Sequence, residues 1–408
     1  GVTVDGFDIK NSSYGIRVDM KDIEYLNDTS VVMGDIIIAN NTISSRYAGV
    51  YFYVYDVGYE MRNSSVILGD FRVVDNVITS SDGEGIYIEE FSYIGSYMYN
   101  DSSFTMGNIE LSRNVINSTD YYGIYIEDMW EIGYEMYNDS SFTMGSILVN
   151  NNTINSNGYG IYLDDIDYLG NHMYGTSSFT MGNIEFCNNV INSDWEGIYL
   201  DDIYEFGWGM NDNSSFVMGD ILVNNNTINS GDEGIYLYGI EYFGEDMYDN
   251  SSFVMGNIEF NNNTINSDDY GIYLEYIYDF GDYMEGNSSI TMGNIEIISN
   301  TIDSTYEGIY IDDIEYFGYD MYDNSHFTMG GILVNDNTID SGDDGIYLDY
   351  MEYFGEYMYN SSSFVMGNIE FSGNIINSTD YGIYLYYIYE FGYDMNDNSS
   401  FTMGSILV

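Results

Sequence analysis

Proline is absent from the 408 residues, and cysteine occurs once, as Cys187. A lone cysteine forms no intramolecular disulfide. Without Cys-x-x-Cys or Cys-x-x-Cys-His there is no zinc-ribbon or c-type haem ligand set, so cysteine use leaves the redox compartment open. Cationic residues are nearly missing: Lys and Arg number 7 against 67 Asp and Glu, the formal net charge is -60, and the last basic residue is Arg113. Neutralising phosphates takes Lys and Arg, so nucleic acid is excluded as a partner, and an anionic membrane surface with it. No apolar run reaches the length of a signal or transmembrane segment, so no membrane insertion is expected. The chain opens on Gly1 rather than Met, which reads as a processed chain or a fragment.

Apolar residues make up 45% of the chain and aromatics 17%, ample for a core. Their arrangement is repetitive. Met-Gly begins at Met106, Met144, Met181, Met218, Met255, Met292, Met329, Met366 and Met403, one step of 38 residues and then seven of 37, with looser versions at Met33 and Leu68. Gly-Ile-Tyr-(Ile/Leu) begins at Gly123, Gly160, Gly197, Gly234, Gly271, Gly308, Gly345 and Gly382, in phase with the first marker.

Within the unit Ile184 and Phe186, or Ile161 and Leu163, alternate with polar or amphipathic residues, and the segments are bounded by Asn, Ser, Asp and Gly. That is strand and turn chemistry, and the three-and-four spacing of helical repeats is missing. A strand recurring every 37 residues pairs with its own copy, parallel and in register. The expected fold is therefore all-β: a parallel β-helix of about eleven coils, one solenoid domain over 1–408, with divergent coils over 1–105 and near-regular ones over 106–408. Expected stacked columns include Asn225 with Asn262, Phe216 with Phe253, Met218 with Met255, Met210 with Met247, and Tyr199 with Tyr236 and Tyr273. The Gly before Ile-Tyr is expected to turn a corner with positive φ, and Tyr204 to Ser215 to form either a longer face or a projecting arm.

Asn-Asn-Thr-Ile-Asn-Ser followed by Gly-Ile-Tyr-Leu, around residues 226 to 237, resembles the parallel β-helix repeats of the NosD type, and Val2 to Val18 is similar to the entry into such domains. The resemblance implies a right-handed helix. For function it implies only a range, from copper delivery through sugar-active enzymes to archaeal surface proteins, and the last are closest in character. Coils in that family are commonly shorter than these.

Eleven coils at ~4.8 Å make a rod of about 53 Å, so the charge exceeds one per ångström, denser than duplex DNA. Stacked carboxylates repel by about 0.9 kcal/mol per pair even at the dielectric of water, which calls for screening salt or bridging cations. The clearest acidic column runs through Glu89 and Glu90, Glu127 and Asp128, Asp164 and Asp165, Asp201 and Asp202, Glu275, Asp312 and Asp313, and Asp349, with breaks at Tyr238-Gly239 and Tyr386-Tyr387. Asp164, Asp165, Asp201, Asp202, Asp312 and Asp313 are the candidate ligands for calcium or another oxygen-seeking cation; the competing reading is a solvated acidic face.

Asn100, Asn138, Asn213, Asn250, Asn287, Asn360 and Asn398 head Asn-x-Ser sequons in one recurring turn, and are glycan sites if a glycosylating cell exports the protein. His172 and His326 lie four coils apart, about 19 Å, too far for one mononuclear metal, and read as exposed turn residues. The Met columns read as core filler rather than Cu(I) ligands. Trp130, Trp195 and Trp208 fall in different phases, which weakens a carbohydrate strip.

An active site breaks a repeat once with a unique cluster. No such break is visible, so no catalytic residue, no certain cofactor and no enzymatic activity are expected. The expected function is a structural protein of the extracellular or cell-surface kind. It would stack head to tail with itself, because the first and last segments share one phase of the repeat. The alternatives are a surface adhesin or carbohydrate-binding module, and after these a polysaccharide lyase or hydrolase.

Overall fold

The computed structural model describes residues 1–408 and contains strands but no helix. Four parallel sheets wall a single rod. One coil runs through Ser215–Val217 (sheet D), Ile221–Asn224 (sheet A), Thr227–Ser230 (sheet B) and Ile235–Phe243 (sheet C). Each strand pairs with its copy 37 residues on: Ser215 with Ser252, Ile221 with Ile258, Thr227 with Thr264, Ile235 with Ile272. Sheets B and D contain eleven strands each; sheet C, split in some coils, counts sixteen, and sheet A counts twelve because its strands include both Val2–Asp5 and Ile406–Leu407. This is the expected parallel β-solenoid. One apolar cluster of 92 buried residues, from Ile36 to Phe371, fills it end to end.

The alternation in sheet A works as the sequence implies: Ile258 and Phe260 are fully buried while Glu259 faces outward. Phe216 stacks on Phe253 at 4.8 Å, and both Met columns are buried, Met210 and Met247 completely, as core filler should be.

The Asn column is displaced by one residue from its expected place. Asn225 and Asn262 are exposed and left-handed, with φ of 60 and 58°, whereas Asn226 and Asn263 are buried at the corner between sheets A and B. There the amide replaces the strand hydrogen bonds that a corner loses. Asn226 Oδ1 accepts from the Asn189 backbone (2.9 Å) and Nδ2 (3.1 Å), and Asn226 Nδ2 donates to the Phe186 carbonyl (2.8 Å) and Asn263 Oδ1 (3.1 Å). Asn226→Ala strands those groups in an apolar interior and is expected to cost about 3–5 kcal/mol. Asn225→Gly keeps the left-handed turn and is expected to cost under about 1 kcal/mol. Urea midpoints of the two variants check this, and equal losses would contradict the ladder's role.

The glycine before Ile-Tyr is also explained differently than expected. Gly234 is not left-handed; a Cβ there would sit 2.2 Å from Ile265 Cγ2 and 2.5 Å from the Gly271 carbonyl oxygen of the next coil. The corner needs glycine because coils approach closely there. Positive φ belongs instead to the glycines after the sheet C aromatics, such as Gly207 and Gly244, both at 65°.

Tyr204 to Ser215 is a longer face and not an arm, since Phe206 and Met210 are fully buried. Regular alternation is suspended there. Ile203, Phe206 and Met210 point inward, and left-handed residues between them, Glu205 (54°) and Gly207 (65°), let two or three residues face outward for each one inside. The outer side of this wall consequently carries an excess of Tyr, Asp and Glu. In the first quarter, ion pairs such as Arg72 with Glu110 (2.6 Å) and Arg113 with Asp75 (2.9 Å) tie neighbouring coils. Beyond Arg113 no basic side chain remains to do so.

Candidate functional site: the outer face of sheet C

The acidic pairs arise from one local feature. Between inward Leu163 and Ile166 the chain kinks through left-handed Asp165 (φ 50°), so Asp164 and Asp165 both face outward; Asp202 repeats the kink at 45°. Short polar side chains tolerate that conformation best, which is why aspartate recurs at the kink. Carboxylate oxygens of Asp164, Asp165 and Asp202 lie within 4.8 Å of one another. Burial pushes the Asp164 carboxyl up to about 7, with the Asp165 charge adding to it, and raises Asp165 and Asp202 in the same direction.

The six candidate ligands therefore divide. Asp164, Asp165 and Asp202 converge. Asp201 and Asp312 do not join them: Asp201 Oδ2 accepts from the Tyr162 hydroxyl at 3.0 Å and Asp312 Oδ2 from Tyr310 at 3.0 Å, and Asp164 Oδ2 likewise accepts from Tyr125 at 3.2 Å while remaining in the trio. Asp312 and Asp313 lie three coils beyond Asp202, past the kink residues Gly239 and Tyr276, and form no three-carboxylate group. Two convergent trios fell outside the sequence reading: Asp22, Glu24 and Asp56, and Asp343, Asp344 and Asp380. Asp343 and Asp380 are 37 residues apart in the acidic turn, a signal that column-by-column alignment of that turn would have exposed. The first trio is hidden by coils shorter than 37 residues: Val2 pairs with Ile36.

A divalent cation bridging the central trio replaces mutual repulsion with attraction. Millimolar calcium is expected to raise the melting temperature of the native protein by several degrees, and of Asp165→Asn by clearly less, in paired scans at constant ionic strength. Equal shifts would remove the trio as a preferred site.

The sequon turn is a pair of successive left-handed residues, as at Asp212 and Asn213 (58 and 65°) or Asn100 and Asp101 (56 and 57°). Asn, Asp and Gly are the residues such a turn accepts. All seven candidate asparagines, Asn100, Asn138, Asn213, Asn250, Asn287, Asn360 and Asn398, are exposed and left-handed. The buried serine that follows donates back across the turn, Ser102 Oγ to the Tyr99 carbonyl at 2.7 Å and Ser251 Oγ to that of Tyr248 at 2.7 Å. Turn chemistry alone thus accounts for the residue types of the sequon. Some amides are already engaged, as where Asn360 Nδ2 donates to Asp323 Oδ1 at 2.7 Å.

His172 is not an exposed turn residue: it is half-buried between Tyr134 and Trp208, ring centroids 5.3 and 4.5 Å away, and burial lowers its pKa. His326 is exposed, but on a sheet D strand, with Nδ1 2.7 Å from Ser363 Oγ. Trp130 and Trp208 sit on the sheet C wall and Trp195 at a corner against Tyr159, so the three form no single strip. The largest concavity, about 570 Å³, follows sheet B and is lined by Asn, Ser, Thr, Asp and Gly alone. No family model, no curated protein and no solved structure matches the chain.

Proposed function

We propose that the protein is a structural rod of an extracellular surface, in character nearest the archaeal cell-surface members of the NosD-type β-helices. In this reading it extends by stacking further copies of itself end on end. The observation that supports this reading is the sameness of the coil-to-coil interface. From Gly85 to Gly345 every corner glycine is met by the next coil's isoleucine Cγ2 at 2.2–2.3 Å from where its Cβ would be, and every sheet keeps its register. An interface repeated by translation along an axis is heterologous and open-ended. A coil without a neighbour leaves part of its core uncovered, as Ile383, Leu385, Phe391 and Phe401 do at one end and Val4, Ile9, Ile16 and Val18 at the other.

Calcium or other cations at the acidic face lower the repulsion between like-charged rods. A second reading, a surface adhesin or carbohydrate-binding module, is favoured by the outward aromatics of the long face, among them Trp130, Tyr168 and Tyr204.

Gly382 supplies the test. A Cβ on Gly382 meets nothing within 4 Å in the subunit, whereas on Gly345 it meets Ile376 Cγ2 at 2.2 Å. Gly382→Ala is therefore expected to fold normally yet to reject a coil stacked from a second copy. Light scattering of wild type and variant over a concentration series reads the difference.

A further inference from the structure

Among the aromatic columns one has a chemistry that the others lack. From Tyr87 to Tyr384 nine tyrosine rings, one per coil, form an unbroken face-to-face stack with centroids 4.7–5.2 Å apart and interplanar angles of 1–29°. Their hydroxyls point along the acidic column. Tyr125 donates to Asp164 Oδ2 at 3.2 Å, Tyr162 to Asp201 Oδ2 at 3.0 Å, Tyr236 to Glu275 Oε2 at 2.6 Å and Tyr347 to Asp349 Oδ2 at 3.0 Å, and Tyr87 donates to Glu127. The core Phe stacks have the same spacing but no proton to give.

We propose that this column carries an oxidising equivalent along the rod by proton-coupled hopping between neighbouring tyrosines. A phenol gives up an electron readily only if its proton leaves with it, and a carboxylate in hydrogen-bond reach is the acceptor that such a transfer needs. In each step the tyrosyl radical of one coil takes an electron from the intact tyrosine of the next. The first phenol regains its O–H bond with the proton parked on the carboxylate in its reach, and the second passes its own proton to the carboxylate in its own reach. Asp201 serves Tyr199 as well as Tyr162, and Glu275 serves Tyr273 as well as Tyr236; Tyr384, half-exposed and past the last carboxylate, gives its proton to water. Atoms and charge balance at every step, and after passage the column is restored. The terminal reactants are a one-electron oxidant at one end, strong enough to oxidise a hydrogen-bonded phenol, and a one-electron reductant at the other. Ring contact at every coil keeps each hop short, whereas a single transfer over eight coil spacings would span about 38 Å.

Tyr199 is the narrowest point. At the corner beside the column Tyr122, Tyr159 and Tyr270 add lateral rings, Tyr159 reaching Tyr199 at 5.7 Å, but Glu196 and Glu233 take the corner position in the coils of Tyr199 and Tyr236, so no lateral ring leads past Tyr199 to Tyr236. Bypassing Tyr199 means a jump from Tyr162 to Tyr236, two stacking distances of 4.9 and 4.8 Å.

The test places a ruthenium polypyridyl photo-oxidant on Thr379→Cys, close to Tyr381 and Tyr384, which stack at 4.9 Å. Cys187, buried with its thiol pushed up to about 11, stays unlabelled. 3-Aminotyrosine, which is oxidised more easily than tyrosine, replaces Tyr87 as the trap. After a flash in the presence of a sacrificial electron acceptor, the aminotyrosyl radical is expected at position 87, and Tyr199→Phe, which keeps the ring, should cut its yield at least tenfold. Tyr204→Phe, outside the column, should leave the yield unchanged. The proposal is overturned if the trap stays silent while tyrosyl radical forms beside the oxidant, if Tyr199→Phe transmits as well as the native column, or if Tyr204→Phe blocks equally. Unchanged circular dichroism and melting temperature in both Phe variants exclude misfolding as the cause.

Discussion

Lowering the pH from 8.5 to 5 is expected to raise the melting temperature by about 10 °C, the reverse of ordinary acid denaturation. The cause lies in the outer wall of sheet C and the corner that leads into it, where carboxylates are packed among tyrosines with no cation to answer them. Burial is the largest influence on each: Asp167 is pushed up to about 9, Glu245 and Glu315 to about 8, Glu131, Glu196, Glu233 and Asp279 to about 7, and Asp282 and Asp313 to about 6. Asp167 Oδ1 and Glu131 Oε2 are buried without a hydrogen-bond partner. In the unfolded chain these groups ionise near pH 4. Between there and their folded values the folded state holds protons that the unfolded state has lost. The stability they contribute is therefore full at about pH 4 and is lost as pH rises through 6 to 9. Each pH unit of difference is worth at most about 1.4 kcal/mol per group, and screening of the half-exposed ones reduces the sum to roughly 5–10 kcal/mol. Molar salt should raise stability at pH 8.5 and flatten the pH dependence. A melting temperature that falls on acidification to pH 5 would contradict the burial of these acids.

Gly234→Ala, like the same change at the other inner corner glycines, is expected to be among the most damaging single-methyl substitutions in the rod, at about 4 kcal/mol or more. The added carbon meets Ile265 Cγ2 at 2.2 Å and the Gly271 carbonyl at 2.5 Å. The second contact is backbone and cannot turn aside, so adjacent coils must separate locally and sheets B and C lose pairing on both sides of the corner. Gly382→Ala adds the same methyl at the same phase with nothing within 4 Å and is expected to leave the denaturation midpoint unchanged. Comparing the two by urea denaturation isolates coil stacking from intrinsic glycine preference. Equal effects would return the corner glycines to a purely conformational role.

These corner residues mark where the sequence is legible. A 37-residue period announces parallel in-register pairing, because only equivalent residues meet, and Phe216, Met218 and Tyr199 stack where their phase puts them. Which of two adjacent asparagines turns inward at a corner was in the period, since the Asn226 phase is asparagine in every coil from Asn41 to Asn374 while the Asn225 phase also takes Asp75, Arg113, Ser299, Asp336 and Gly373. What the period does not announce is the left-handed geometry of the first residue that sends the second inside. A repeated glycine likewise announces a constraint without its kind, steric at Gly234 and conformational at Gly244. The long face was ambiguous because its inward residues, Ile203, Phe206 and Met210, are three and four apart, a spacing that suits a helix, whereas here left-handed residues in an extended chain produce it. The acidic column was visible, but not that of its members only Asp164, Asp165 and Asp202 converge, nor that Asp164, Asp201 and Asp312 accept from tyrosine hydroxyls.

The most direct measurement of the central claim, a rod whose coil interface extends from one copy to the next, is cryo-electron microscopy of the protein at pH 6 with calcium, beside Gly382→Ala under the same conditions. The account predicts wild-type filaments with an unbroken axial repeat of ~4.8 Å across subunit boundaries, and single rods of about 53 Å for the variant. Discrete wild-type rods at every concentration, or filaments of Gly382→Ala indistinguishable from wild type, would contradict it.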